Sequence, residues 1–148
     1  MLGKLFCSIA KALKGCELDI PTLNLIDTID INEMSSILLD KLEEMGDTSA
    51  QIYLADYNCD IFDKEEVKAF LKLDETNKIK YIADTMDCDD FAAELYGKGL
   101  PLVWTNLHAL NWFIGTDKVL YFVEPQTDQI ATDLDNWQGW SIRLFINR

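Results

Sequence analysis

Gly99 divides this chain by the spacing of its apolar residues. Before it, apolar positions recur three and four apart, as on one face of a helix. After it they alternate with polar ones, as along a half-buried strand. "LHALNWFIGTDKVLYFVEP", Leu107 to Pro125, reads as two strands joined by a tight turn at Gly115, Thr116 and Asp117. "WSIRLFINR", Trp140 to Arg148, reads as a last strand. Helices first and antiparallel strands last predict an α+β fold, with the helices of the first two-thirds packed on a C-terminal antiparallel sheet.

Local signals place the helices. "DINE" (Asp30 to Glu33) and "DKEE" (Asp63 to Glu66) each offer an acidic N-cap with Glu three positions on, which satisfies amides that the first turn leaves unpaired. The first opens an apolar run through Met34, Ile37, Leu38, Leu42 and Met45 and stops at Gly46. The second opens one through Val67, Phe70 and Leu71. "QIYLA", Gln51 to Ala55, has strand composition. A third helix begins near Asp87, carries Cys88, Phe91, Ala92 and Leu95 on one face, and ends at Gly97. The opening "MLGKLFCSIAKALKGC" reads as an amphipathic helix. Lys11 and Lys14 interrupt its apolar stretch and make it too short for a secretory segment.

At 148 residues the chain is expected to form one domain, mainly helical over residues 1–80 and with its core over 81–148. Its formal charge of −13 is concentrated between Glu17 and Glu94. Such a surface repels phosphate backbones, so nucleic-acid binding through a basic patch is not expected. No run approaches the roughly 20 apolar residues of a membrane span. Cys7, Cys16, Cys59 and Cys88 lack the spacing of a zinc site, and one histidine supplies no Cys/His ligand set. Free thiols in a reducing, cytoplasmic setting are expected, with no metal and no cofactor.

"MDCDDFAAEL", Met86 to Leu95, concentrates the candidate chemistry. Thiol chemistry needs thiolate, which is favoured by the partial positive charge of a helix N-terminus and by an imidazole that takes the proton. Cys88 falls in a first helical turn, and His108, the only histidine, begins a strand. A third group must hold the imidazole. Asn111 points to the opposite face from His108. A three-residue turn in the hairpin would set Glu124 opposite His108, whereas a two-residue turn would set Pro125 there. As a small apolar residue, Cys88 is alternatively core.

The order Asp-Cys-Asp-Asp-Phe-Ala on a helix, then His-Ala on a strand, then an acid one hairpin later, resembles the transglutaminase-like branch of the papain-type cysteine peptidases, especially the bacterial enzymes. The resemblance covers about Tyr81 to Trp137. It implies a Cys-His-acid triad with Cys88 as nucleophile, His108 as base and Glu124 as the orienting acid. The family acid is Asp; here Glu124 precedes Pro125, and Asp133 or Asp135-Asn136 are the other acids near that position.

Two functions are expected on these grounds. The first is a thiol-dependent hydrolase or acyl-transferase acting on amide or isopeptide bonds of a peptide or protein, with acids favouring a basic substrate. Asp89, Trp104 and Trp112 are its candidate substrate contacts, since acids beside the thiol attract amines and tryptophans line grooves for peptide or sugar. The second is an acidic binding or inhibitor module on the same fold, docking a protein partner with the thiol idle.

Overall fold

The computed structural model describes residues 21–134 and 141–148. The expected N-terminal helix, Cys7, Cys16, Asp135, Asn136, Trp137 and Trp140 lie outside them. The described elements begin with β1 (Asp27–Asp30), α1 (Ile31–Glu44), β2 (Gln51–Tyr53), β3 (Asn58–Ile61) and α2 (Lys64–Leu73). A 3-10 turn (Thr76–Lys78) leads to α3 (Cys88–Gly97). Then follow β4 (Leu102–Thr105), β5 (Ala109–Ile114), β6 (Leu120–Glu124), β7 (Gln129–Ala131) and β8 (Ile142–Ile146).

The helix starts follow their sequence signals. Asp30 accepts hydrogen bonds from the amides of Asn32 and Glu33 at 2.8 and 3.1 Å. Asp63 does the same for Glu65 and Glu66 at 2.8 and 3.2 Å. Each cap satisfies donors that have no partner within the helix. Met34, Leu38 and Leu42, one turn apart, form the buried stripe of α1, and Val67, Phe70 and Leu71 that of α2.

The arrangement of the sheet corrects the expected architecture. Six strands in the order β2-β8-β4-β5-β6-β7 form one mixed sheet, in which β2 runs parallel to β8. β1 and β3 pair antiparallel as a separate two-stranded sheet. Three strands therefore lie within the first 61 residues, and the sheet is neither C-terminal nor wholly antiparallel. Among the described residues the fold is sheet-rich, with strands interleaved among three α-helices rather than placed after them. Strands of three or four residues are too short to show alternation in sequence. β2, moreover, finds its partner more than 90 residues away, at Leu144 to Ile146.

The large sheet is covered on both faces. Met34, Leu38 and Leu42 of α1 meet Val103, Trp112, Phe122 and Phe145 on one face. Val67, Phe70 and Leu71 of α2, with Leu95 of α3, meet Phe113, Tyr121 and Val123 on the other. All six residues of β5 are buried as a result, which is why a strand at this depth reads as a nearly continuous apolar run. Trp112 stands edge-on to Phe145, with ring centroids 5.4 Å apart. Its indole N–H donates to the Leu102 carbonyl at 2.9 Å, so its one polar atom is satisfied in the core.

The β5–β6 connection is longer than the expected three residues. Ile114 pairs with Leu120, leaving Gly115 to Val119 as the loop. Lys118 adopts a left-handed φ of 64° within it. At Gly115 a Cβ would collide with the Asp117 carboxylate and approach the Tyr121 ring to 2.8 Å, so the loop closes only over a glycine.

Candidate functional site

α3 carries the cysteine that sequence reading singled out. Cys88 is its first residue and is half-buried. The Asp90 carboxylate accepts from the Asp87 amide at 3.1 Å, fixing the helix entry. Donor atoms of Asp87, Cys88 and Asp89 lie within 4.8 Å of one another, the one such grouping of three among the described residues. A hydrogen bond shared with Asp87 raises the Asp89 carboxyl above its ordinary value. Asp89 itself is exposed.

His108 and Glu124 are brought together. The imidazole Nε2 lies 2.7 Å from Glu124 Oε2, with both side chains largely buried. The turn before β5 fixes the histidine: the buried Thr105 hydroxyl accepts from the His108 amide at 2.9 Å, and the Thr105 amide donates to the His108 carbonyl at 2.8 Å. Glu124 Oε1 accepts from the Gln126 amide at 3.1 Å. The observed register sets Glu124 opposite Leu110 rather than opposite His108. Because two extra loop residues preserve the alternation, Glu124 still shares a side with His108 and reaches it diagonally.

Ala92, one turn after Cys88, packs with Ala109, the residue next to His108. The Asn111 amide donates to the Ala92 carbonyl at 2.9 Å and the Leu100 carbonyl at 3.2 Å, which fixes α3 over β5. Cys88 thus stands at the end of α3 nearest the Thr105 to His108 turn. Trp104 on β4 is 38 % exposed. Trp112 is fully buried, and that removes it from any binding surface, correcting its assignment as a substrate contact. Cys59 is buried as well. Burial pushes its thiol up, and the sulfur donates to the Asp56 carbonyl at 3.5 Å.

A second polar site lies where sequence reading did not look. Asp56, Asn58 and Asp60 occupy alternate positions along the β3 segment, while Cys59 and Ile61 between and beyond them point into the core. Together with Lys98, Gly99 and Arg148 they line a cleft of about 390 Å³. Leu23, Leu25 and Phe62 supply its apolar wall. Burial raises the Asp60 carboxyl above its usual value, with Asp56 adding to the effect and Arg148 opposing it. Arg148 Nη1 donates to the Tyr96 carbonyl at 3.3 Å, and its guanidinium carbon lies 5.9 Å from the Tyr96 ring centre. Lys98 bonds Asp74 at 2.7 Å and Thr76 at 2.8 Å. Gly99 adopts a φ of +120°, a conformation that side chains strongly disfavour, and a Cβ there would lie 3.8 Å from the Arg148 guanidinium. The i, i+2, i+4 polar pattern of "DYNCD" was the available signal; nothing in the sequence brought Arg148 beside it.

A scan against protein-family models finds no match for the chain, and neither does a sequence search of curated proteins. Solved structures do match. One, titled a PSL1a-E64 complex, superposes with a TM-score of 0.67 at 17% identity, covering 80% of this chain and 49% of that one. Another is Polyporus squamosus lectin bound to the human-type influenza-binding epitope Neu5Aca2-6Galb1-4GlcNAc, with a TM-score of 0.64 at 16% identity and the same coverages. The fold is similar to part of a lectin. At these identities the likeness shows fold alone, and the chain spans about half the length of either neighbour.

The comparison corrects the expected resemblance to transglutaminase-like cysteine peptidases. One of the matched structures is titled a lectin, and neither title names a transglutaminase-like peptidase. The thiol hydrolase or acyl-transferase reading is withdrawn with it, as is the idle acidic module on that fold. The physical reason is the shortness of the motifs: Asp-Cys-Asp-Asp, His-Ala and Glu-Pro fix a helix start, a strand start and a strand end, and those elements occur in many folds. No helix among the described residues is long and apolar enough to cross a membrane.

Proposed function

We propose that this chain is a carbohydrate-binding domain whose sugar site is the cleft between the β3 segment and Arg148. The observation that carries the reading is one cleft lined by the row Asp56, Asn58, Asp60, by Arg148 and by the apolar Leu23, Leu25 and Phe62. Sugar hydroxyls both donate and accept. Planar carboxylate, amide and guanidinium groups engage adjacent hydroxyls in pairs, and an apolar wall covers the C–H face of the ring. The volume of about 390 Å³ falls in the lower range of small-molecule sites. The similarity of fold to a lectin supports the reading. Titration against a panel of saccharides, including the epitope bound by the Polyporus squamosus lectin, tests it. Saturable binding that falls at least about tenfold in Asn58→Ala is expected, equivalent to the loss of about 1.4 kcal/mol. Binding unchanged by Asn58→Ala and by Asp60→Asn would move the sugar site elsewhere.

A second small-molecule site is proposed around Cys88, His108 and Glu124, with Asp89 and Trp104 at its rim. It is favoured by the 2.7 Å His108–Glu124 contact and by the packing of Ala92 of α3 on Ala109 beside His108. One structural neighbour, PSL1a, is in complex with E64, which supplies a probe. Calorimetric titration with E64 should give binding that Glu124→Ala weakens and Asn58→Ala leaves intact. Absence of E64 binding at millimolar concentration would remove this second site.

A further inference from the structure

Asp128 sits in the turn between β6 and β7 in a left-handed conformation, with a φ of 60°. Its Oδ2 accepts from Asn77 Nδ2 at 2.6 Å, joining this turn to the 3-10 turn 51 residues earlier. The other amide atom, Asn77 Oδ1, is buried and has no hydrogen-bond partner. A buried acceptor without a donor is costly, and an ionised carboxylate beside it has no proton to offer. A protonated Asp128 has one: the acid and the amide then exchange two hydrogen bonds, N–H to carbonyl and O–H to Oδ1. The neutral acid satisfies the atom that the anion leaves orphaned.

The surrounding charges favour that neutral form. Burial raises the Asp128 carboxyl to about 6, the negative charge of Asp74 adds to the effect, and Lys78 opposes it. Lys78 is engaged by Glu75 at 3.1 Å. Lys98 is held on Asp74 and Thr76. Burial pushes the Asp74 carboxyl up, but its hydrogen bonds from Lys98 and Thr76 outweigh burial and hold it below its usual range. Asp74 therefore stays an anion while Asp128 titrates.

We propose that Asp128 and Asn77 form a proton-operated clasp that pins the β6–β7 turn to the Thr76–Lys78 turn, closed as an acid–amide pair and loosened when Asp128 ionises. The clasp bears on the second proposed site, because the Asp128 amide donates to the Glu124 carbonyl at 2.9 Å and the same turn positions the Glu124 carboxylate. The sign follows from linkage. With its folded value raised, Asp128 contributes stability that is complete below its unfolded value of 3.8 and is lost as the pH rises through about 6.

Two measurements on the full chain test this. A carbon-detected NMR titration of the wild-type Asp128 carboxyl should show a midpoint near 6; a midpoint at the ordinary aspartate value overturns the clasp. Asp128→Asn places a permanent amide where the neutral acid would be and tolerates the left-handed backbone. It should melt several degrees above wild type at about pH 8, by a smaller margin at about pH 5, and level with it only below the unfolded value of 3.8. A difference in melting temperature that does not change with pH also overturns the proposal. If the variant does not fold, the wild-type titration decides alone.

Discussion

The two polar sites of this molecule are assembled in opposite ways. His108 and Glu124 lie 16 residues apart across one hairpin, and a single antiparallel ladder brings them to 2.7 Å. The β3 cleft draws on residues near positions 23, 58, 98 and 148, which meet only because distant segments dock on one another. The Asn147 amide donates to the Tyr53 carbonyl at 2.9 Å, and β2 lies parallel to β8. Sequence periodicity can reveal the first kind of site, because hairpin pairing is local. It is blind to the second, where the decisive contacts cross the whole chain.

The largest expected effect removes the support of the hairpin. Trp112→Ala empties a fully buried indole site beneath the ladder and should cost about 3–5 kcal/mol in denaturant unfolding. If it costs less than about 1 kcal/mol, β5 is not the central strand described here. Glu124→Ala is the next largest, at about 1–3 kcal/mol, because it strips a partner from a largely buried imidazole. It should leave saccharide affinity untouched, which separates the two sites. Gly99→Ala should do the reverse. Forcing a side chain into a φ of +120° costs about 1–3 kcal/mol and disturbs the cleft beside Arg148, with sugar affinity falling while E64 binding persists. Parallel losses at both sites in either variant would show that they are not independent. The smallest is Asp63→Ala, which deletes a helix cap whose side chain lines neither ligand site and should lower stability by about 1 kcal/mol with both affinities unchanged.

What could be read from the sequence follows the same division. Asp30, Asp63 and Asp87 start their helices within a residue of the expected positions, because a cap depends only on the next three amides. The β5–β6 hairpin was legible as two apolar runs around a turn at Gly115 to Asp117, although its strands are buried on both faces instead of alternating and its loop proved two residues longer than expected. Glu124 nevertheless reached His108, since an even change in loop length keeps side chains on the same face. β1 and β3 were not anticipated. Each is four residues long, and Asp27–Asp30 is mostly exposed, so no apolar rhythm marks it. β8 was read as a terminal strand, yet it lies inside the sheet between β2 and β4, a position set by pairings that no local pattern encodes. Reading Cys88, His108 and Glu124 as a peptidase triad gave three local element types the authority of a fold.

Isothermal titration of wild type and Asn58→Ala with the same saccharide panel tests the carbohydrate reading most directly. Saturable heat in the wild type, reduced at least about tenfold in the variant, is what a cleft built on Asp56, Asn58 and Asp60 requires. Equal affinity in the two proteins, or no saccharide bound by either, would contradict it.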